Sequence, residues 1–311
     1  MKVVAHTGDP DLAMVYIGED ESGRRLEFVE SLEPPYLREE KWVNILSTLW
    51  GCPIQCRFCD AGLKYKGRVN AATMLAQLDA LVSMRYPDRV IPSRKWKIQF
   101  ARMGEPAFNR DVITVLRELP NRYVAPGLMP SVSTVAPKGC NRFFNELLDV
   151  KHELYPHRFQ FQFSLHSTDP EERRRLIPAP TMTFAEMAEY GDRIYRGEGR
   201  KVTLNFALGV GLQVNAEEAM RWFNPDSFLI KLTPMNPTVQ ATRNGYIDDS
   251  PDPSRFVADK ADQFRDVGFE VIESIGELEE NAIGSNCGQY LERMNKCSIP
   301  VSYSYPQVSL P

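Results

Sequence analysis

The 311-residue chain has no apolar run near the eighteen or so residues that a membrane-spanning helix needs. Its opening, MKVVAHTGDPD, lacks the apolar stretch of a secretory signal. Charge of one sign is not in excess either: 37 Lys plus Arg stand against 41 Asp plus Glu, a net charge of −4. Such a balance exerts no general pull toward nucleic acid or an anionic membrane, although a local basic patch can still form. Cysteine is scarce, six in all. Internal repeats, low-complexity tracts and long flexible linkers are missing. These absences predict a cytoplasmic globular protein with no membrane partner. Thiols stay reduced there, so clustered cysteines favour metal or catalysis over disulfides. The length allows one large domain or two small ones, and 43% apolar with 25% charged residues is ordinary for a globular fold.

What is present is a regular alternation. Residues 1–41 read as short strands, KVVAHTG, LAMVYIGED and RRLEFVESL, separated by turn residues. From Lys41 onward, apolar and β-branched runs recur at WVNILSTLW, KWKIQFARM, PSVSTVA, RFQFQFSL, KVTLNFALG and DSFLIKLT, with a weaker GFEVIESI. Helical patterns lie between them. Met74, Leu75, Leu78, Leu81 and Val82 repeat at helical spacing after Asn70, a good N-cap. Phe143, Phe144, Leu147 and Leu148 share one face, and Phe256, Ala261 and Phe264 are expected to point inward ahead of a stop at Gly268. This alternation predicts an α/β fold of βα units around a parallel sheet, a full or partial (β/α) barrel with its chemistry on the loops after the strands. The expected division is a small N-terminal β extension over 1–41, the barrel over 42–275 and a C-terminal loop segment over 276–311.

Three of the six cysteines, Cys52, Cys56 and Cys59, crowd into CPIQCRFC directly after the first strong strand. Structural zinc takes four ligands, usually as two separated pairs, and no second CxxC pair exists here. Three thiolates can instead hold a [4Fe–4S] cluster and leave its fourth iron open to a ligand. Three unrelated buried cysteines are the plainer alternative.

The CxxxCxxC spacing, with Phe58 before the last cysteine, resembles the signature of the radical S-adenosylmethionine (SAM) superfamily. The resemblance implies a partial (β/α)6-type barrel and a [4Fe–4S] cluster on Cys52, Cys56 and Cys59. SAM would chelate the open iron and be split by one electron into a 5′-deoxyadenosyl radical. Further stretches fit in order. MGEP places Gly104 and Glu105 where the family receives the SAM ammonium. SVSTVAPKG offers Ser133, with Ser131 beside it, for the ribose. SLHS supplies Ser164 and His166, and PMNP supplies Asn236. By itself a lone His is more often a satisfied structural residue.

Together with NAIGSNCGQYLERM, these stretches resemble the RlmN/Cfr-type methyltransferases, which act on adenine carbons in RNA. Cys287 falls on that branch's methyl-carrying cysteine, a thiolate that is methylated by polar displacement. A radical at that methyl group then adds to an electron-poor sp2 carbon. The alternative for Cys287 is a buried small hydrophobe. Glu30, in FVESL, falls near the family's proton-accepting Glu, with an exposed strand Glu as the bland alternative.

Two departures stand out. Seven residues before Cys52 the family has a second cysteine, which frees the covalent adduct; here it is Ile45. Cys297 is a candidate substitute, and Cys140 has no assigned role. The region before the cluster is also shorter than the family's accessory domain, which weakens the case for a large structured RNA. The expected substrate is therefore RNA adenine or a smaller nucleotide-like molecule, not DNA, with a reducing partner such as flavodoxin or ferredoxin. KYKGR and ERRRL are the basic patches adjoining the site, for phosphate contact or as solvated faces. A radical SAM enzyme acting without methyl transfer on a small molecule or peptide is the rival, and a non-catalytic Fe–S or zinc protein a remoter one.

Overall fold

A computed structural model describes residues 1–62, 65–247, 253–275, 280, 283–285, 291 and 308–310. The chain divides into two compact units, one of residues 1–53, 60–132 and 277–311, the other of 54–59 and 133–276.

The first unit opens on an antiparallel meander of β1 (Lys2–Asp9), β2 (Ala13–Glu19), β3 (Arg25–Ser31) and β4 (Lys41–Leu46). Short polar turns make the meander possible. The Asp9 carboxylate accepts the Asp11 N–H, and the Asp20 carboxylate accepts the N–H groups of Ser22 and Arg24. Pairing then turns parallel. β5 (Lys95–Phe100) lies beside β4, and β6 (Leu128–Thr134) beside β5. The crossovers carry α1 (Ala71–Arg85) and α2 (Asp111–Arg122). A two-residue strand, Val308–Ser309, pairs antiparallel with β1. The Asn70 side chain caps α1 by accepting the Thr73 N–H at 2.8 Å, and Met74, Leu75, Leu78, Leu81 and Val82 are all buried, as their spacing predicts. Trp42 and Trp96, opposite each other in register, stack at 5.8 Å between centroids.

The second unit holds β7 (Gln160–Ser164), β8 (Val202–Leu208), β9 (Phe228–Pro234) and β10 (Glu270–Glu273), parallel and in chain order. Its helices are α3 (Asn141–Leu154), α4 (Pro170–Leu176), α5 (Phe184–Tyr195), α6 (Ala216–Met220), α7 (Val239–Arg243) and α8 (Pro253–Asp266). Gly191 lets α5 approach the sheet: a Cβ there would stand 2.1 Å from the Phe228 ring. Phe143, Phe144, Leu147 and Leu148 of α3 are buried together. In α8 the expected face is corrected. Val257, Ala261 and Phe264 are fully buried, at i, i+4 and i+7, while Phe256 is 43% exposed. The 3.6-residue period sets this: Val257, Ala261 and Phe264 fall on one stripe, whereas Phe256, five positions before Ala261, falls off it.

Every apolar run read as a strand is one, and the mostly parallel pairing agrees with the α/β expectation. The sheet is open in each unit, with no pairing among the described residues that closes it on itself. Among the described residues no helix is long and apolar enough to cross a membrane.

Candidate active site

Within each unit, parallel pairing sets the strand C-termini at one end. Gly104 and Glu105 follow β5, His166 follows β7 and Asn236 follows β9, while Ser131 and Ser133 lie within β6, Ser164 within β7 and Glu30 within β3. In the first unit, the loops after β4 and β5 are zipped together. The N–H groups of Thr48 and Leu49 both donate to the Met103 carbonyl, at 2.8 and 3.0 Å. Ser47 is held on its other side by buried Gln77, which accepts its N–H and donates to its carbonyl. Asn109 reaches back to donate to the carbonyls of Thr48 and Val69. This lattice of hydrogen bonds fixes the backbone that leads into Cys52.

Gly104 turns the chain at φ +100°, a conformation that favours glycine, and a Cβ there would stand 2.4 Å from that of Leu49. Glu105 follows, buried, with its carboxylate accepting the Ala107 N–H at 3.0 Å.

In the second unit, the chain between Cys56 and Cys59 forms a fixed arc. The Cys59 N–H donates to the Cys56 carbonyl at 3.1 Å and the Arg57 N–H to the Leu176 carbonyl at 2.9 Å. The carbonyls of Arg57 and Phe58 accept from the Asn244 amide and the Thr238 hydroxyl, at 2.8 and 2.7 Å. The Phe58 ring meets the edge of His166 at 4.6 Å between centroids. His166, at the end of β7, has φ +64° and is almost fully buried. Burial, with the positive charge of Arg173 as a smaller cause, lowers its pKa to about 3. Its Nδ1 stands 3.1 Å from the Ala207 N–H and accepts from it, which leaves Nε2–H as a donor on a neutral ring. Ser164 is half-buried two residues earlier, and Asn236 is half-buried after β9, its carbonyl accepting the Thr238 N–H at 2.8 Å. On β6, Ser133 of this unit is half-buried; Ser131, in the first unit, has a buried hydroxyl with no hydrogen-bond partner among the described residues.

The donor set suits the expected groups. Cys52, Cys56 and Cys59 are half-buried thiols on one loop. Among the described residues no three His, Cys, Asp or Glu side chains converge as a single metal ion requires. In a cubane cluster the thiolates bind separate irons, so their sulfurs stand farther apart than around one ion. In the second unit the neutral His166 donor suits a polar cofactor that carries a positive sulfonium, beside which a charged imidazolium would be unfavourable.

Other expectations change. Glu30 is not an exposed strand residue. It is buried, and its carboxylate accepts from the Tyr16 hydroxyl at 2.8 Å, the Trp42 indole at 3.1 Å and the Arg85 guanidinium. Those three partners fix the carboxylate in one orientation. Arg173, from ERRRL, is no solvated face: it is buried, donating to the Val135 carbonyl and the Thr181 hydroxyl, and only Arg174 and Arg175 face solvent. Ile45 packs against an apolar cluster that includes Val15, Ile17 and Val29. Cys140 is half-buried at the start of α3. Cys287 and Cys297 lie outside the described residues. Sequence reading missed Glu27 and Arg102, a buried ion pair whose members are 75 positions apart. Their sole signal was two charges inside apolar strand runs.

No family model matches the chain. A probable dual-specificity RNA methyltransferase RlmN from Thermus thermophilus is 30% identical over 269 residues, which cover 84% of this chain and 70% of that protein. A protein of the same description from Heliobacterium modesticaldum is 30% identical over 207 residues, covering 63% of this chain and 50% of that one. Among solved structures, a radical SAM methyltransferase from Sphaerobacter thermophilus matches with a TM-score of 0.70 at 20% identity, over 93% of this chain and 80% of that one, a likeness of fold.

Proposed function

Because the chain belongs to the RlmN-type family of radical SAM methyltransferases, we propose that it transfers a one-carbon group to an sp2 carbon of adenine in RNA, with Cys287 as carrier. As a radical SAM enzyme it uses a [4Fe–4S] cluster and SAM. When bound, these groups supply the reducing and radical chemistry that no side chain offers. In this reading Cys52, Cys56 and Cys59 hold the cluster. Gly104, Glu105, Ser133, Ser164, His166 and Asn236 hold SAM, with His166 donating from Nε2 and Glu105 balancing positive charge. Cys287 keeps the one-carbon group between donor and acceptor. An RNA substrate, a flavodoxin- or ferredoxin-like reductant and a cytoplasmic location complete the proposal.

The observation that supports this reading best is the 30% identity to an RNA methyltransferase over 84% of the chain, with the three-cysteine loop placed directly after a strand of the parallel sheet. The test is direct. The full chain, reconstituted anaerobically, is given SAM, a chemical reductant and RNA, and the digested nucleosides are weighed. Methylated adenosine is the expected product. RNA left unmodified while SAM is converted to 5′-deoxyadenosine would exclude methyl transfer to RNA.

Ile45 favours a second reading. No thiol stands at that position to release a covalent adduct, and its side chain is committed to apolar packing. A radical SAM reaction on a smaller substrate, without a cysteine carrier, would need no such thiol.

A further inference from the structure

Glu27 and Arg102 form an ion pair within the first unit, their side chains 0% and 2% exposed. The Arg102 Nε and Nη2 both donate to Glu27 Oε2, at 3.1 and 2.6 Å. What remains of both side chains turns to the C-terminal segment. Arg102 Nη1 donates to the Ser285 carbonyl at 2.7 Å, and Nη2 to the Gly284 carbonyl at 3.0 Å. Glu27 Oε1 accepts the Leu291 N–H at 2.7 Å. One buried pair therefore grips the backbone at 284–285 and again at 291, either side of Cys287.

Apolar contacts repeat the pattern. Ile283 is fully buried in a cluster with Ala5, Leu12, Ala13, Val15, Ile17 and Val29, and Leu291 packs against the same cluster. Arg102 itself is fixed by its position. Its N–H donates to the Leu46 carbonyl at 3.0 Å, and it directly precedes the Met103–Glu105 turn.

Burying two charges costs desolvation that their mutual attraction returns only when the remaining donors and acceptors are also satisfied. Here they are satisfied by main-chain groups of the C-terminal segment, through charge-assisted hydrogen bonds. We propose that Glu27 and Arg102 are positioning residues, an ionic clamp that holds the backbone at 284–285 and at 291, the described positions on either side of Cys287, and so supports the loading of Cys287. The consequence for catalysis rests on the carrier reading of Cys287; the clamp rests on the contacts alone.

The test uses the full chain with its cluster. Hydrogen exchange read by mass spectrometry follows peptides spanning 280–291 before any SAM is added. The double variant Glu27→Gln with Arg102→Met removes both charges and strands neither. It is expected to raise exchange there about tenfold or more, while peptides over 160–208 stay unchanged. Unchanged exchange at 280–291 in the folded variant overturns the clamp. Should that variant not fold, Arg102→Lys gives the same reading. A lysine can meet Glu27, but its compact ammonium lacks the planar fork by which Arg102 reaches Glu27 and both carbonyls from three nitrogens, so exchange is still expected to rise.

A second readout separates positioning from general stability. In the variants the KM for SAM is expected to hold while the rate of methyl loading on Cys287 falls about tenfold. A loading rate that holds while thermal stability falls would reduce the pair to packing and overturn its positioning role. An unaltered chain that never loads Cys287 would remove the carrier reading. The exchange experiment would stand unaffected, so the two failures are distinguishable.

Discussion

His166 and Gly104 are the two residues proposed to hold SAM whose local constraints are strongest. A buried imidazole with its pKa lowered to about 3 stays neutral, while in the unfolded chain it takes up a proton near pH 6.5. Between those values the unfolded state binds more protons, so stability rises with pH across that window and is lost as pH falls through it. Urea unfolding at pH 4 is expected to show this group's contribution reduced by roughly 3 kcal/mol against pH 7. His166→Asn should flatten that part of the profile. Gly104→Ala adds a side chain at φ +100° against Leu49. It should cost about 2 kcal/mol in thermal or urea unfolding and weaken SAM binding measured by calorimetry.

At the scale of elements, strong periodicity was legible and weak periodicity was not. The five-residue apolar stripe of α1 with its Asn70 cap and the Phe143–Leu148 face of α3 formed as their spacing predicts. In α8 the large aromatics drew the reading to Phe256, although the buried stripe runs through Val257, Ala261 and Phe264. Val257→Ala is therefore expected to destabilise by about 1–2 kcal/mol, and Phe256→Ala by about 0.5 kcal/mol or less, in the same unfolding assay. On β3 the alternation of side chains sends Glu27 and Glu30 to opposite faces. A local motif cannot say which carboxylate meets which partner. Arg85 finds Glu30 across 55 positions, and Arg102 finds Glu27 across 75. The three-cysteine loop, by contrast, can be proposed from sequence because its cysteines are neighbours in the chain. ERRRL misled for the same reason as β3: three consecutive arginines look alike in sequence, yet one of them faces inward to the Val135 carbonyl.

For the whole molecule, a net charge of −4 leaves RNA attraction to local groups. With Arg173 internal, Arg174 and Arg175 are the members of that patch able to meet phosphates. Replacing both by Ala should weaken RNA binding and make its salt dependence shallower by about two phosphate contacts, with SAM binding unchanged. The central claim, methyl transfer through a cysteine carrier, is tested most directly by weighing one peptide. The reconstituted chain is incubated anaerobically with methyl-deuterated SAM and reductant, then digested, and the peptide holding Cys287 is analysed by mass spectrometry. A deuterated one-carbon group on Cys287 is expected. A bare thiol at Cys287 in a protein that has consumed SAM would contradict the account.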